Sequence, residues 1–286
     1  MIDRLRAGRE RSRQSPQHIL CKGGESFSLS CRMIFPIAKI VSITSIASIR
    51  TEQHQLIRQL ADCIESVWQR YLDLSPYDLP GDLGYVEGRL EGEKLIIENR
   101  CYQTPQFRKL HIELAKIGKH LDILHCVMFP RPNYPLPMFG TDLVGARGDI
   151  SAAVVDLSPT SPTLTLPQPY IQRLNTLPAI EFSQPRELPK WGDIFSDFCL
   201  FVRPNGQQEE QLFLSRVQSY LEIHCEMALS IEPVSLEKQL QVMAGQRYYC
   251  TKQRKNDKTR RVLEKAFGAD WANYYMTKVL FDMPDE

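Results

Sequence analysis

The chain lacks an excess charge of either sign: 35 Lys plus Arg against 34 Asp plus Glu leave a formal net charge of +1. Without an overall basic field there is no electrostatic footprint for nucleic acid, so a charged partner must be met by a local patch. No uninterrupted apolar stretch approaches the roughly 20 residues that a membrane-spanning helix needs. Paired cysteines are missing too. The 8 cysteines (Cys21, Cys31, Cys63, Cys101, Cys126, Cys199, Cys225 and Cys250) include no C-x-x-C and no zinc-finger spacing with His. That pattern argues against a metal or cluster site and predicts single buried thiols in a reducing compartment, the cytoplasm. The motifs of common enzymes are also absent. There is no G-x-G-x-x-G after a strand, no Walker A loop, no G-x-S-x-G elbow and no H-E-x-x-H.

What is present is ordinary globular composition over 286 residues, 43% hydrophobic and 24% charged, enough for one sizeable core. Residues 1–50 read as a separate N-terminal extension. Arg4, Arg6, Arg9, Arg11 and Arg13 crowd a polar start, and an apolar run broken by Pro36 and Lys39 follows. A signal peptide, a transit peptide, a disordered tail and a start placed upstream of Met33 all fit that pattern. A single domain is expected over 51–286.

Within it, Leu56, Leu60, Ile64, Val67 and Trp68 recur at helical spacing between Thr51 and Leu72. From Tyr85 to Thr160 six short runs separated by tight turns predict an antiparallel meander, with DFCLFVRP (Asp197 to Pro204) as a seventh strand. The run QFRKLHIELAKI fits a strand or a helix, since Leu110, Leu114 and Ile117 share a helical face. Ser161 to Lys190 is a Pro- and Thr-rich connection with a short helix around Tyr170 to Leu174. The chain turns helical beyond Glu209, with a second helix around Leu236 to Tyr249 and a last one from about Asp257 to Phe281. Helices flanking a central sheet predict a three-layer α/β/α sandwich with about seven antiparallel strands.

Period-two alternation along these strands places His111 with Glu113, His125 with Ile123 and Val127, and Asp142 with Met138 and Val144. If those faces coincide, two carboxyls and an imidazole project from neighbouring strands onto one half-buried apolar surface. Such groups acquire displaced proton affinities and can hold or donate protons near neutral pH. The plainer reading is a hydrogen-bonded core histidine and an aspartate in a bulge.

The block GDLGYVEGRLEGEKLIIENRCYQTPQFRKLHIELAKIGKHLDILHCVMFP (Gly81 to Pro130) closely resembles the ferredoxin-dependent bilin reductases. So do SAAVVDLSPT (Ser151 to Thr160), RELPKWGDIFSDFCLFVRP (Arg186 to Pro204) and QRKNDKTRRVLEKAFG (Gln253 to Gly268). The resemblance spans about residues 50–280. It implies an α/β/α sandwich that holds biliverdin IXα between the sheet and the C-terminal helices. It also implies a four-electron, four-proton reduction to phycocyanobilin through bilin radicals, with reduced ferredoxin as donor and no bound cofactor or metal. By resemblance Asp142 protonates the bilin, His125 pairs with Asp142, Glu113 donates to the D-ring vinyl group and His111 joins their network. Glu113 together with His125 favours phycocyanobilin over other products. A non-catalytic bilin carrier and a reductase of different regiospecificity are the alternatives.

The same resemblance assigns the substrate propionates to Arg186, Lys258 and Ser151, and a pocket-side polar role to Asn256. Lys252 to Lys265 holds seven basic residues against two acidic ones. That patch, with Arg254, Lys255, Arg260 and Arg261 at its centre, is expected to dock acidic ferredoxin. A monomer with no membrane or nucleic-acid partner is expected.

Overall fold

The computed structural model describes residues 48–284; the readings for residues 1–47 lie outside the described residues. A 3₁₀ turn (Ile49–Glu52) leads into α1 (Gln55–Tyr71). Then follow β1 (Ser75–Pro76), β2 (Tyr85–Leu90), β3 (Glu93–Gln103), β4 (Phe107–Ile117), β5 (Leu121–Pro130), β6 (Met138–Ala146) and β7 (Asp149–Ser158). After α2 (Gln168–Asn175) and β8 (Leu200–Val202) the chain is helical: α3 (Gly206–Ser230), α4 (Leu236–Gln253), α5 (Asp257–Phe267), α6 (Ala269–Tyr275) and a π-helical turn (Met276–Leu280).

The strands form one antiparallel sheet in the order β1-β3-β4-β5-β6-β7-β8, with β2 pairing alongside β1 on the outer edge of β3. The ambiguous run around Leu114 is a strand. Leu110, Ile112 and Leu114 enter one core, whereas Ala115 and Ile117 enter the other. Burial on both faces overrides the helical preference of its residues, since only a strand can feed two cores at period two.

The first core joins the even-numbered side of β4 and β5 to α1, α2 and α3, through Leu56, Leu60, Ile64, Trp68, Tyr170, Phe213 and Val217. The second joins the opposite side to α4–α6 and the π turn, through Tyr249, Leu263, Tyr275, Met276, Val279 and Phe281. The result is a three-layer α/β/α sandwich. Ile49 is buried in the first core, and its backbone N–H donates to Glu98 Oε1 at 2.6 Å.

The long final helix expected over 257–281 is instead broken after Phe267. Gly268 adopts φ = +90°, which ends α5 and starts α6 at a new angle. On α4, Gly245 meets the backbone of Thr160 so closely that a Cβ would lie 2.0 Å from its carbonyl oxygen. The six cysteines among the described residues are unpaired thiols; Cys126, Cys225 and Cys250 are buried and the others half-buried. Among the described residues no helix is long and apolar enough to cross a membrane.

Candidate active site

Register places the predicted groups side by side. Asn99 on β3 pairs with Glu113 on β4, Glu113 with His125 on β5, His125 with Asp142 on β6, and Asp142 with Val154 on β7. Residues directly opposite in an antiparallel sheet share a face. A carboxyl, an imidazole and a second carboxyl therefore stand in one row beneath the C-terminal helices. The next row carries His111, opposite Cys101 and Val127.

These side chains are bonded to one another. His125 Nδ1 and Asp142 Oδ1 are 2.6 Å apart. Asn99 Nδ2 donates to Leu83 O at 2.7 Å, which turns Oδ1 inward. There it lies 2.8 Å from His111 Nε2 and accepts from Tyr275 Oη at 2.9 Å. Tyr275 Oη is also 2.5 Å from Glu113 Oε2. His111 Nδ1 and His125 Nε2 are among the buried polar atoms without a hydrogen-bond partner in the described residues.

Burial separates the proton affinities. It pushes the Glu113 carboxyl up, nearby Asp142 adds to that, and His125 and Tyr275 only partly oppose it. Burial alone would depress His125, but the Asp142 carboxylate beside it, helped by Glu113, lifts the imidazole above its ordinary value. Burial, with Lys109 and His125 nearby, holds His111 well below. The surroundings thus shift Glu113 and His125 toward their protonated forms and His111 toward its neutral form.

The row is covered unevenly. Glu113 and His125 are 7% and 8% exposed, under Tyr275 and Phe281; the His125 and Phe281 ring centroids are 5.4 Å apart. The Asp142 side chain is 42% exposed. Beyond it Ile123, Val144, Ala152 and Val154 form a half-buried apolar shelf. The cover is anchored from below: Arg108 and the fully buried Lys109 both pair with Asp282, and Lys109 Nζ donates to Val279 O at 2.7 Å. A separate recess of about 340 Å³, lined by Lys116, His120, Asp122 and Arg147, shares no residue with this row.

Of the other predicted site residues, two meet at the shelf edge. Arg186 donates to Ser151 O at 2.6 Å and lies 5.2 Å over the Phe201 ring, and Phe201 is the cross-strand neighbour of Val154. The Ser151 hydroxyl itself donates to Val144 O at 3.0 Å. Asn256 caps α5 by accepting from Lys258 N at 3.2 Å, and Lys258 is exposed on the first turn. In the basic segment Lys255 and Arg261 are exposed and Arg260 half-buried. Arg254 is engaged inside the protein, donating to Phe281 O at 2.7 Å and Thr277 O at 3.3 Å. Asn99 and Tyr275 were not singled out from the sequence. Hairpin pairing across residues 104–106 could have located Asn99, whereas nothing local marks Tyr275. Among the described residues no His, Cys, Asp or Glu cluster could hold a metal ion.

Comparison with known proteins adds to this geometry. A sequence profile described as ferredoxin-dependent bilin reductase matches residues 61–282. A phycocyanobilin:ferredoxin oxidoreductase of Trichodesmium erythraeum is 66% identical over 242 residues, which cover 85% of this chain and 99% of that one. A protein of the same name from Synechococcus elongatus is 56% identical over 248 residues, covering 86% of this chain and all of its own. Among solved structures, tomato phytochromobilin synthase in complex with biliverdin superposes with a TM-score of 0.66 at 15% identity, covering 82% of this chain and 83% of that one. That similarity supports the fold.

Proposed function

This chain belongs to the ferredoxin-dependent bilin reductase family, and from that membership we propose that it reduces biliverdin IXα to phycocyanobilin. It is an oxidoreductase that takes electrons from ferredoxin and acts on a bilin. The finer reading of product and chemistry rests on one observation: Glu113, His125 and Asp142 are paired in register on one sheet face that opens onto an apolar shelf.

An open-chain tetrapyrrole is conjugated and accepts single electrons itself, so the protein need only hold it, admit electrons and place protons. Four electrons and four protons reduce the two vinyl-bearing end rings, two of each per ring, through bilin radicals and without a bound cofactor. In the proposed pose the bilin lies on the shelf, Asp142 protonates it at the half-exposed end of the row, and His125 holds that carboxylate and restores its proton. Glu113, protonated under its cover, gives its proton to the D-ring vinyl group, with His111 in the supporting network. Arg186 and Ser151 at the shelf edge and Lys258 at the start of α5 would meet the propionates, which suit cationic and hydroxyl partners, with Asn256 as a pocket-side polar residue. Lys255, Arg260 and Arg261 would steer ferredoxin; Arg254 contributes charge to that patch while tied to the C-terminal segment. The domain over 51–286 would act as a monomer in the cytoplasm, where its free thiols persist.

Anaerobic incubation with biliverdin and reduced ferredoxin tests this directly. The expected outcome is loss of the biliverdin absorbance and appearance of phycocyanobilin. A pigment that binds without bleaching would make the chain a carrier, and a dihydrobiliverdin end product would mean a reaction halted after one ring.

A further inference from the structure

Glu113 must exist in two protonation states if it donates once per turnover and is then recharged. A buried carboxyl with no adaptable partner would be held in one of them. Its partner is the Tyr275 hydroxyl, which stands between two acceptors: Glu113 Oε2 at 2.5 Å and Asn99 Oδ1 at 2.9 Å. A phenol has one hydrogen to give, so it cannot serve both at once. Asn99 Oδ1 is fixed as an acceptor because its amide nitrogen is committed to Leu83 O.

We infer that Tyr275 is a positioning residue whose hydroxyl pivots between Asn99 and Glu113 as Glu113 gains and loses its proton. When Glu113 is protonated, its O–H donates to Tyr275 Oη and the phenol donates to Asn99 Oδ1. After the proton has left for the pigment, the phenol swings to the new carboxylate and Asn99 Oδ1 keeps the bond from His111 Nε2. No bond to carbon forms in this step, and the count of protons in the trio falls by the one that Glu113 delivers. The pivot needs a phenol held in place. Tyr275 is fully buried, stacked on Trp271 with centroids 4.8 Å apart, and Trp271 in turn packs on Phe267 at 4.2 Å. The titratable groups that face Glu113 are His125 from β5, Asp142 from β6 and Tyr275 from α6, with His111 and Cys101 beside them. Of these only Tyr275 changes its hydrogen bond without changing its charge.

The inference rests on Glu113 as the D-ring donor, and its test keeps the two apart. Tyr275→Phe preserves the stacking ring and removes only the hydroxyl. In anaerobic single turnovers the variant should bind biliverdin as tightly as the parent and reduce the D-ring vinyl about ten- to a hundredfold more slowly, the range for a lost hydrogen bond to a charged group. The alkaline limb of that step should move up by about one pH unit, because the carboxylate has lost its donor. In the pigment-free protein the Glu113 carboxyl carbon resonance should titrate at correspondingly higher pH. Normal D-ring reduction with an unmoved carboxyl titration would overturn the pivot. So would an equal loss of pigment binding and of all reduction, which is what a merely structural ring would give. Glu113→Gln serves as the control. If it reduces the D ring at the parental rate, the assignment of Glu113 fails, whatever Tyr275 does.

Discussion

At Glu113 burial and its partners pull in opposite directions. The apolar cover disfavours the carboxylate, while the His125 imidazolium and the Tyr275 hydroxyl favour it. Burial wins, which shifts the carboxyl toward its protonated, proton-donating form. At the other end of the row, the half-exposed Asp142 shares a 2.6 Å bond with His125. Replacing Asp142 by Asn removes both the anion that holds His125 protonated and the group nearest the shelf. Asp142→Asn is therefore expected to bind biliverdin but leave it largely unprotonated, read as a visible spectrum distinct from the parental complex. A parental spectrum would remove Asp142 as the proton source. His125 should titrate above its ordinary value in the parent and fall below it in Asp142→Asn, where only Glu113 still opposes burial; imidazole NMR reads both.

The alternation of apolar and polar positions made this row legible before any fold was known, because side chains of a strand alternate faces whatever their partners. Register was only half legible. The tight turn between β4 and β5 pairs Ile117 with Leu121, so Glu113 must oppose His125. The Pro-rich link between β5 and β6 fixes no such offset, and Asp142 could not be aligned from the sequence. Tyr275 was out of reach for a different reason. It approaches Asn99 from a helix 176 residues downstream, placed there by tertiary packing alone.

Among the elements, the C-terminal segment behaves as a cover held by a few buried contacts. Asp282 pairs with both Arg108 and the fully buried Lys109. Asp282→Asn leaves Lys109 without an anion in the core, and loss of one partner of a buried pair costs about 3 kcal/mol or more. Denaturant unfolding should show that loss, together with weaker protection of the Tyr275 amide. At α4, Gly245→Ala drives a methyl into the Thr160 carbonyl. We expect a loss of about 1–3 kcal/mol, as for overpacked sites.

A third anchor joins β7 to the segment 191–198. Asp156, buried and 2% exposed, accepts from Ser158 Oγ, Ser196 Oγ and Ser196 N at 2.6, 2.6 and 3.0 Å. Burial nevertheless raises it to about 6 from its ordinary 3.8. A carboxyl raised on folding contributes its stability below the unfolded value and loses it as pH climbs through the folded one. Between pH 5 and 7 the parent should lose roughly 1 kcal/mol through this group, a decline that Asp156→Asn should lack in parallel unfolding curves. The broken helix at Gly268 belongs to the same scale. A glycine such as Gly268 is a common helix stop, yet apolar periodicity on both sides masks it in the sequence, and only its positive φ reveals the break.

Over the whole molecule, a net charge of +1 supplies no overall field, so the proposed docking of ferredoxin falls to the exposed cations near α5. Reversing Lys255 and Arg261 together should lower kcat/KM for ferredoxin at low ionic strength. The deficit should shrink as salt screens the parental advantage over a Debye length of about 10 Å at 0.1 M. Arg254 is a poor site for that experiment, because its bonds to Thr277 and Phe281 tie it to the cover. An ionic-strength series that leaves parent and double variant parallel would move the docking surface elsewhere.

The two cores explain why so bare a site suffices: one face of the sheet is closed by α1–α3 for stability, and the other is shared between the cover and the shelf. In the proposed mechanism chemistry is left to the pigment, and the sheet supplies its protons from a single row. The most direct check of that division of labour is the end product of anaerobic turnover with reduced ferredoxin in Glu113→Gln. With biliverdin bound as in the parent, the account predicts a reaction that leaves the D-ring vinyl group intact. Phycocyanobilin formed at the parental rate would contradict it.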